Sequence, residues 1–135
     1  MQSEKKVGDV MHPGVFTCPR SATLLEAARL MQSKGVRALV VMDEQCGMVG
    51  IVSQSDLVNA SLRSSSEPPW RSLTVDAVMT RQVVTVSPDD AIQRAAALMI
   101  EHRIHRLVVV HESDPCRPLG VLSMGDLMRH LMTEE

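Results

Sequence analysis

Two copies of one short pattern hold the residues best suited to chemistry: Ser53-x-x-Asp56 and Ser123-x-x-Asp126. Each stands where an apolar, strand-like run gives way to a helical pattern. A carboxylate placed there offers two acceptor oxygens to a pair of hydroxyl donors. The helix N-terminus beside it adds unpaired N–H groups and a favourable potential for phosphate. The same spacing is also a capping box, which stabilises a helix by about 1 kcal/mol with no ligand at all. The spacing alone leaves both readings open.

A second cluster lies in "HRIHRLVVV", residues 102–110. His102 and His105 are three apart, which a helix can place on one face. A metal site needs further ligands, and no Asp or Cys with suitable spacing accompanies them. A catalytic His needs a partnered nucleophile or base, and no G-x-S-x-G or similar signal is present. His102 and Arg103 read as a solvated helix end, and His12, His111 and His130 as surface residues. No G-x-G-x-x-G precedes a helix, and no Walker-type loop occurs. The chain is therefore expected not to be an enzyme and to hold no metal or resident cofactor.

The elements that must position these groups come from a duplication. A shift of 68 residues, which carries Val7 onto Val75, lays "VGDVM" over "VDAVM", "LLEAARLM" over "IQRAAALM" and "LVVMDE" over "LVVVHE". After two inserted residues in the second copy, "GIVSQSDL" lies over "GVLSMGDL". The copies are assigned to 7–58 and 74–132, with 59–73 as a linker marked by serines and Pro68-Pro69. Trp70 is expected to tack that linker onto one repeat.

Each copy reads β-α-β-β-α, so the fold class is mixed α+β. Residues 15–18 and 83–86 are β-branched strand candidates. Thr23-x-x-Glu26 caps the next helix in copy one, and Gly35 suits its C-terminal turn. In copy two, Ser87-Pro88-Asp89-Asp90 is expected to supply the cap and first turn. Leu24, Ala27, Ala28 and Met31, matched by Ile92, Ala95, Ala96 and Met99, form one helical stripe. The runs 38–42 and 107–110 are apolar throughout, as strands buried on both faces are. Strands over 48–52 and 119–122 follow, then helices from about Ser55 and Met124. Each half alone would leave a face uncovered, so each is expected to complete its core against the other.

Composition narrows the function. The 135 residues carry 14 basic and 16 acidic side chains, a net charge of −2, and Phe16 and Trp70 are the only aromatics. Nucleic-acid binders show a basic excess or aromatic platforms, so no nucleic-acid partner is expected. No apolar run approaches the roughly 20 residues that span a bilayer, and the N-terminus lacks the apolar stretch of a signal peptide. No membrane partner and a cytoplasmic location are expected. The odd, scattered Cys18, Cys46 and Cys116 read as reduced thiols filling space.

The ordered motifs resemble the cystathionine-β-synthase (CBS) domain, here as a tandem pair, over residues 7–131. These are the "D-V-M" or "A-V-M" opening, the "V-x-T" strand, the "A-x-x-x-M" helix and the closing "G-[IV]-[VL]-S-x-x-D-L". The second copy's "HRIHRLVVV" and "GVLSMGDL" resemble nucleotide-binding repeats in the γ subunit of AMP-activated kinase. The resemblance implies repeats packed about a pseudo-two-fold axis, with clefts that bind an adenosine-containing regulatory ligand. AMP, ADP, ATP and S-adenosylmethionine are the class. It also implies a homodimer and an unidentified regulated protein. Carried over residue by residue, Asp56 and Asp126 would take the ribose. Arg37, His105, Arg106, Ser53 and Ser123 would meet phosphate, and Val15, Thr17, Val83 and Thr85 would line the base and ribose pocket. His105-Arg106 aligns with Arg37-Ala38, so the clefts are expected to differ in phosphate affinity. The alternative is a ligand-free dimerising scaffold in which S-x-x-D only caps helices.

Overall fold

The computed structural model describes residues 5–63 and 69–133. The elements are α1 (Val7–Val10), β1 (His12–Pro13), β2 (Thr17–Pro19), α2 (Leu24–Lys34), β3 (Ala38–Asp43), β4 (Gly47–Ser53) and α3 (Gln54–Arg63). After a 3-10 turn at Trp70–Ser72 come α4 (Val75–Val78), β5 (Thr85–Val86), α5 (Ile92–His102), β6 (Arg106–His111), β7 (Asp114–Ser123) and α6 (Met124–Thr133). The duplicated mixed α+β order is therefore present. The linker boundary moves: Asn59 to Arg63 are helical, because Ala60 buries itself on the same face as Leu57. The remainder of the serine-rich run and Pro68 lie outside the described residues.

Packing divides the chain differently from the repeat. One unit contains the described residues among 16–82, and the other joins 5–15 to 83–133. The first has the sheet order β2-β3-β4, and the second has β1-β7-β6-β5. In both, a parallel pair adjoins an antiparallel hairpin: β2 with β3 and β3 with β4, or β5 with β6 and β6 with β7. The central strands are the most buried, as their unbroken apolar runs require.

The helices largely follow their local signals. Thr23 and Glu26 exchange bonds at 3.1 and 2.8 Å, closing the capping box of α2. Gly35 ends that helix in the left-handed region at φ 66°, where glycine has no steric penalty. At the matching position α5 ends on Arg103, at φ 56°. The expected cap from Ser87 is not made. Helix α5 starts at Ile92 after Ala91, while Ser87 N–H turns back to Asp90 Oδ2 at 2.9 Å. The Pro88 and Asp90 carbonyls are occupied instead by the chain's opening segment.

That opening segment shapes each unit. Val7 N–H donates to Asp90 O at 2.8 Å, and Gly8 N–H to Pro88 O at 2.9 Å. The other unit repeats this scheme: Val75 N–H to Ala22 O at 2.8 Å and Asp76 N–H to Arg20 O at 3.2 Å. The segment then crosses a sheet edge. His12 and Pro13 pair with Val121 and Gly120, and Thr80 bridges Ile51. A Cβ at Gly50 would stand 2.8 Å from Thr80 O, and one at Gly120 would collide with His12 O. Only a glycine lets the two backbones approach so closely. Thus each repeat's opening residues pack into the unit built around the other repeat's strands.

The cores reflect this exchange. Val75 and Met79 join Leu24, Met31, Leu39 and Val52 in one cluster, and Val7 joins Met99, Leu107 and Leu122 in the other. What each half borrows to cover its apolar face is thus a short segment of chain. Trp70 packs half-buried on the first cluster, as expected of a linker anchor. Of the thiols only Cys18 fills space; burial pushes it up to about 11. Cys46 and Cys116 lie exposed beside the hairpin turns. His130 is also not a surface residue: it is buried against the inner side of α6. Among the described residues, no helix is long and apolar enough to cross a membrane.

Ion pairs fasten α4 further. Arg20 reaches Asp43 at 3.0 Å and Asp76 at 2.8 Å, and Arg81 adds a second cation beside Asp76 at 3.4 Å. Arg20 holds Asp76 below the usual carboxylate range; Asp43 is lowered first by the Gln45 N–H and then by Arg20. Position 8 is a glycine against Pro88, so the second unit lacks this pair.

Gly120→Ala should destabilise the protein by about 3 kcal/mol, read as a lower urea midpoint, because the clash is with backbone. Carboxylates with lowered folded pKa values contribute stability above about pH 4 that disappears as pH falls through the folded values. Acid titration of thermal stability should therefore fall less steeply below pH 4 in Arg20→Met than in the wild type.

Candidate functional site

In both units the candidate groups gather where an antiparallel strand ends and a helix begins. Ser123 closes β7 opposite Arg106, the first residue of β6. His105 lies one residue earlier, and its carbonyl accepts the first helical N–H of α6, from Met124, at 2.7 Å. Ser123 N–H donates to Asp126 Oδ2 at 2.8 Å, and Asp126 N–H returns to Ser123 Oγ at 3.1 Å. The other unit matches this. Gln54 N–H donates to Arg37 O at 2.9 Å, Ser53 N–H to Asp56 Oδ2 at 2.8 Å, and Asp56 N–H to Ser53 Oγ at 3.2 Å. Ser53 also lies opposite Ala38, next to Arg37.

The two S-x-x-D motifs are therefore complete capping boxes. Capping uses one carboxylate oxygen and leaves the other for further partners, so a cap and a binding site are compatible. Thr85 pairs with Val108, and Thr17 with Val40. Each threonine thus lies on the neighbouring parallel strand, Thr85 opposite a position two residues beyond Arg106 and Thr17 opposite one three residues beyond Arg37. Val15 and Val83 are half-buried just outside β2 and β5. Val15 and Thr17 belong to different packing units. The structure thus brings Arg37, Ser53 and Asp56 together in one unit, and His105, Arg106, Ser123 and Asp126 in the other.

The copies differ at the second carboxylate oxygen. Asp126 is 2% exposed, and its Oδ1 bonds the Arg129 guanidinium and stands 3.0 Å from His12 Nδ1. Sequence reasoning missed both partners. Arg129 lies three residues along the same helix, a spacing that brings side chains together. His12 is reached only through the β1–β7 crossing, for which no local pattern exists. Asp56 is half-buried, and the residues aligned with His12 and Arg129 are Thr80 and Asn59, both exposed. Neither is cationic.

Chemically, each strand end offers a capping carboxylate, a helix N-terminus and at least one basic residue. Among the described residues, no three His, Cys, Asp or Glu side chains group closely enough to hold a metal ion.

Comparison with known proteins agrees with the duplicated architecture. The family model for the CBS domain matches twice, at residues 7–63 and 75–133. The chain is 30% identical over 129 residues to the CBS domain-containing protein YhcV of Bacillus subtilis, covering 96% of this chain and 87% of that protein. It is 32% identical over 123 residues to a homoserine O-acetyltransferase of Methanosphaerula palustris, covering 91% of this chain but spanning 23% of that enzyme. Among solved structures, the CBS domain pair of protein MJ0100, in complex with 5′-methylthioadenosine and S-adenosyl-L-methionine, superposes with a TM-score of 0.86. It is 23% identical, covering 98% of this chain and all of that one, and so is similar in fold. CBSX2 in complex with AMP superposes at 0.79 with 27% identity, covering 95% of this chain and 96% of that one. With both repeats matched across nearly its whole described length, the chain belongs to the CBS domain family.

Proposed function

We propose that this chain is a regulatory, non-catalytic module that binds an adenosine-containing ligand and passes its occupancy to a partner protein. The observation that carries the reading is the repeated strand end, where an S-x-x-D carboxylate, a helix N-terminus and a basic residue meet. CBSX2, 27% identical, was solved with AMP, which supports an adenine nucleotide as the ligand. In this reading Asp56 or Asp126 accepts the ribose hydroxyls. Arg37, His105, Arg106, Ser53 and Ser123 meet phosphate, where the guanidinium forks match its oxygens. Val15, Val83, Thr17 and Thr85 contact base and ribose. S-adenosylmethionine belongs to the same ligand class, and the setting is the cytoplasm.

A homodimer is part of the proposal. Helix α3 exposes Val58 and Leu62, and α6 exposes Met128, Leu131 and Met132. Such apolar rows on surface helices are suited to burial against a second copy.

Titration calorimetry with AMP, ATP and S-adenosylmethionine tests the ligand. Micromolar to millimolar binding of AMP is expected, with Arg37→Ala weakening AMP about tenfold and leaving adenosine unchanged. No heat and no rise in melting temperature with any of the three ligands overturns the reading.

The completed capping boxes support a second reading, a scaffold that binds no ligand. The two readings separate on the apo protein and its response to AMP. Asp56→Ala should cost about 1 kcal/mol of stability, the worth of a cap. Asp126→Ala should cost about 2 kcal/mol, because it also removes the acceptor that Arg129 and His12 share. These losses without any AMP-induced stabilisation of the wild type would favour the scaffold.

A further inference from the structure

We propose that His12 and Arg129 are built-in ligands of Asp126, so that the ribose diol of an adenosine ligand is taken at Asp56. The inference rests on the adenosine-binding reading above and specifies which copy performs it. A diol needs acceptor capacity that the protein has not already used. Asp126 is 2% exposed; Oδ2 accepts the Ser123 N–H, and Oδ1 is shared by Arg129 and His12. A ligand diol reaches this oxygen only by displacing the Arg129 guanidinium and the His12 ring, exchanging a charge-assisted bond for bonds from neutral hydroxyls. Asp56 Oδ2 accepts the Ser53 N–H, and the carboxylate has no cation partner among the described residues. It is half-buried, so a diol can approach without breaking an ion pair.

The difference has a structural cause. In both units a side-chain contact adds to the backbone bonds that hold the crossing segment of the opposite repeat. In the unit holding Asp56, Arg20 on Asp76 does this at 2.8 Å, away from the capping box. In the other unit, Gly8 replaces the aspartate and Pro88 the arginine, leaving backbone bonds and an exposed Lys6–Asp89 pair at 3.8 Å. There the contact of His12 with Asp126 ties β1 to α6. Asp126 is thus committed to holding the segment, while Asp56 is not. His12 and Arg129 are positioning residues that decide which copy recognises the ligand, and the stronger basic pair, His105-Arg106, sits beside the latched carboxylate.

The test is AMP titration calorimetry on the full chain as wild type, Asp56→Asn and the double variant His12→Ala/Arg129→Ala, each checked for folding by circular dichroism. Wild type should bind about one AMP per chain, and Asp56→Asn should weaken that event at least tenfold. The double variant, whose changed side chains are mostly exposed, should keep the first event and add a second, approaching two per chain. Two equal events in wild type, or unchanged binding by Asp56→Asn, would overturn the inference while leaving the nucleotide reading intact. A double variant that folds and still binds one AMP would also overturn it. If neither wild type nor the double variant takes up AMP, the nucleotide reading falls and the inference with it.

Discussion

The close approach of two backbones at Gly120 and Gly50 is the constraint on which the rest of the structure depends. At these positions the crossing segment lies against the sheet with no side chain between. The approach lets Val7 and Val75 drop into fully buried sockets, and it sets the hydrogen bonds that hold the first turn of α1 and α4. Because the segment belongs to the opposite repeat, neither repeat has a complete core without chain from the other. Two half-size repeats of this length bury little apolar surface alone, and the exchange supplies what each lacks.

The same strand that carries the glycine ends three residues later in the S-x-x-D box. Its serine N–H and the aspartate Oδ2 close the first turn of α3 or α6 in both copies. The cap therefore fixes where the carboxylate sits, and what varies between copies is the partner of the other oxygen. A fold can keep its backbone scheme in duplicate and still differ in chemistry at this single acceptor.

Much of this was legible in the sequence because it is local. The 68-residue match located both repeats; Thr23, Glu26 and Gly35 located the ends of α2; the unbroken runs of β3 and β6 announced buried strands. What escaped was non-local or decided by competition. Ser87 has the composition of a cap, yet it turns onto Asp90, while the neighbouring carbonyls serve the crossing segment. The assignment of 59–63 to a linker followed the serines and missed Ala60, whose burial continues α3. His12 looked like surface, and 70% of its side chain is exposed, but its Nδ1 end meets a buried carboxylate. His130 looked like surface too, though its spacing from Asp126 and Leu127 places all three on the buried side of α6. No periodicity in the sequence encodes the crossing itself.

The duplication also explains why side chains could diverge around an unchanged frame. The backbone bonds of the crossing segment recur in both units within a few tenths of an ångström, so the frame does not depend on a particular ion pair. Surface ion pairs contribute little individually, and replacing Arg20 and Asp76 by Pro88 and Gly8 leaves the frame standing. Once that pair is absent, a contact from β1 to the nearest anion has value, and the nearest anion is the capping aspartate of α6. The carboxylate is then drawn from open acceptor to structural tie. Divergence of a supporting contact, not of the capping motif itself, is sufficient to make two identical S-x-x-D motifs chemically unequal.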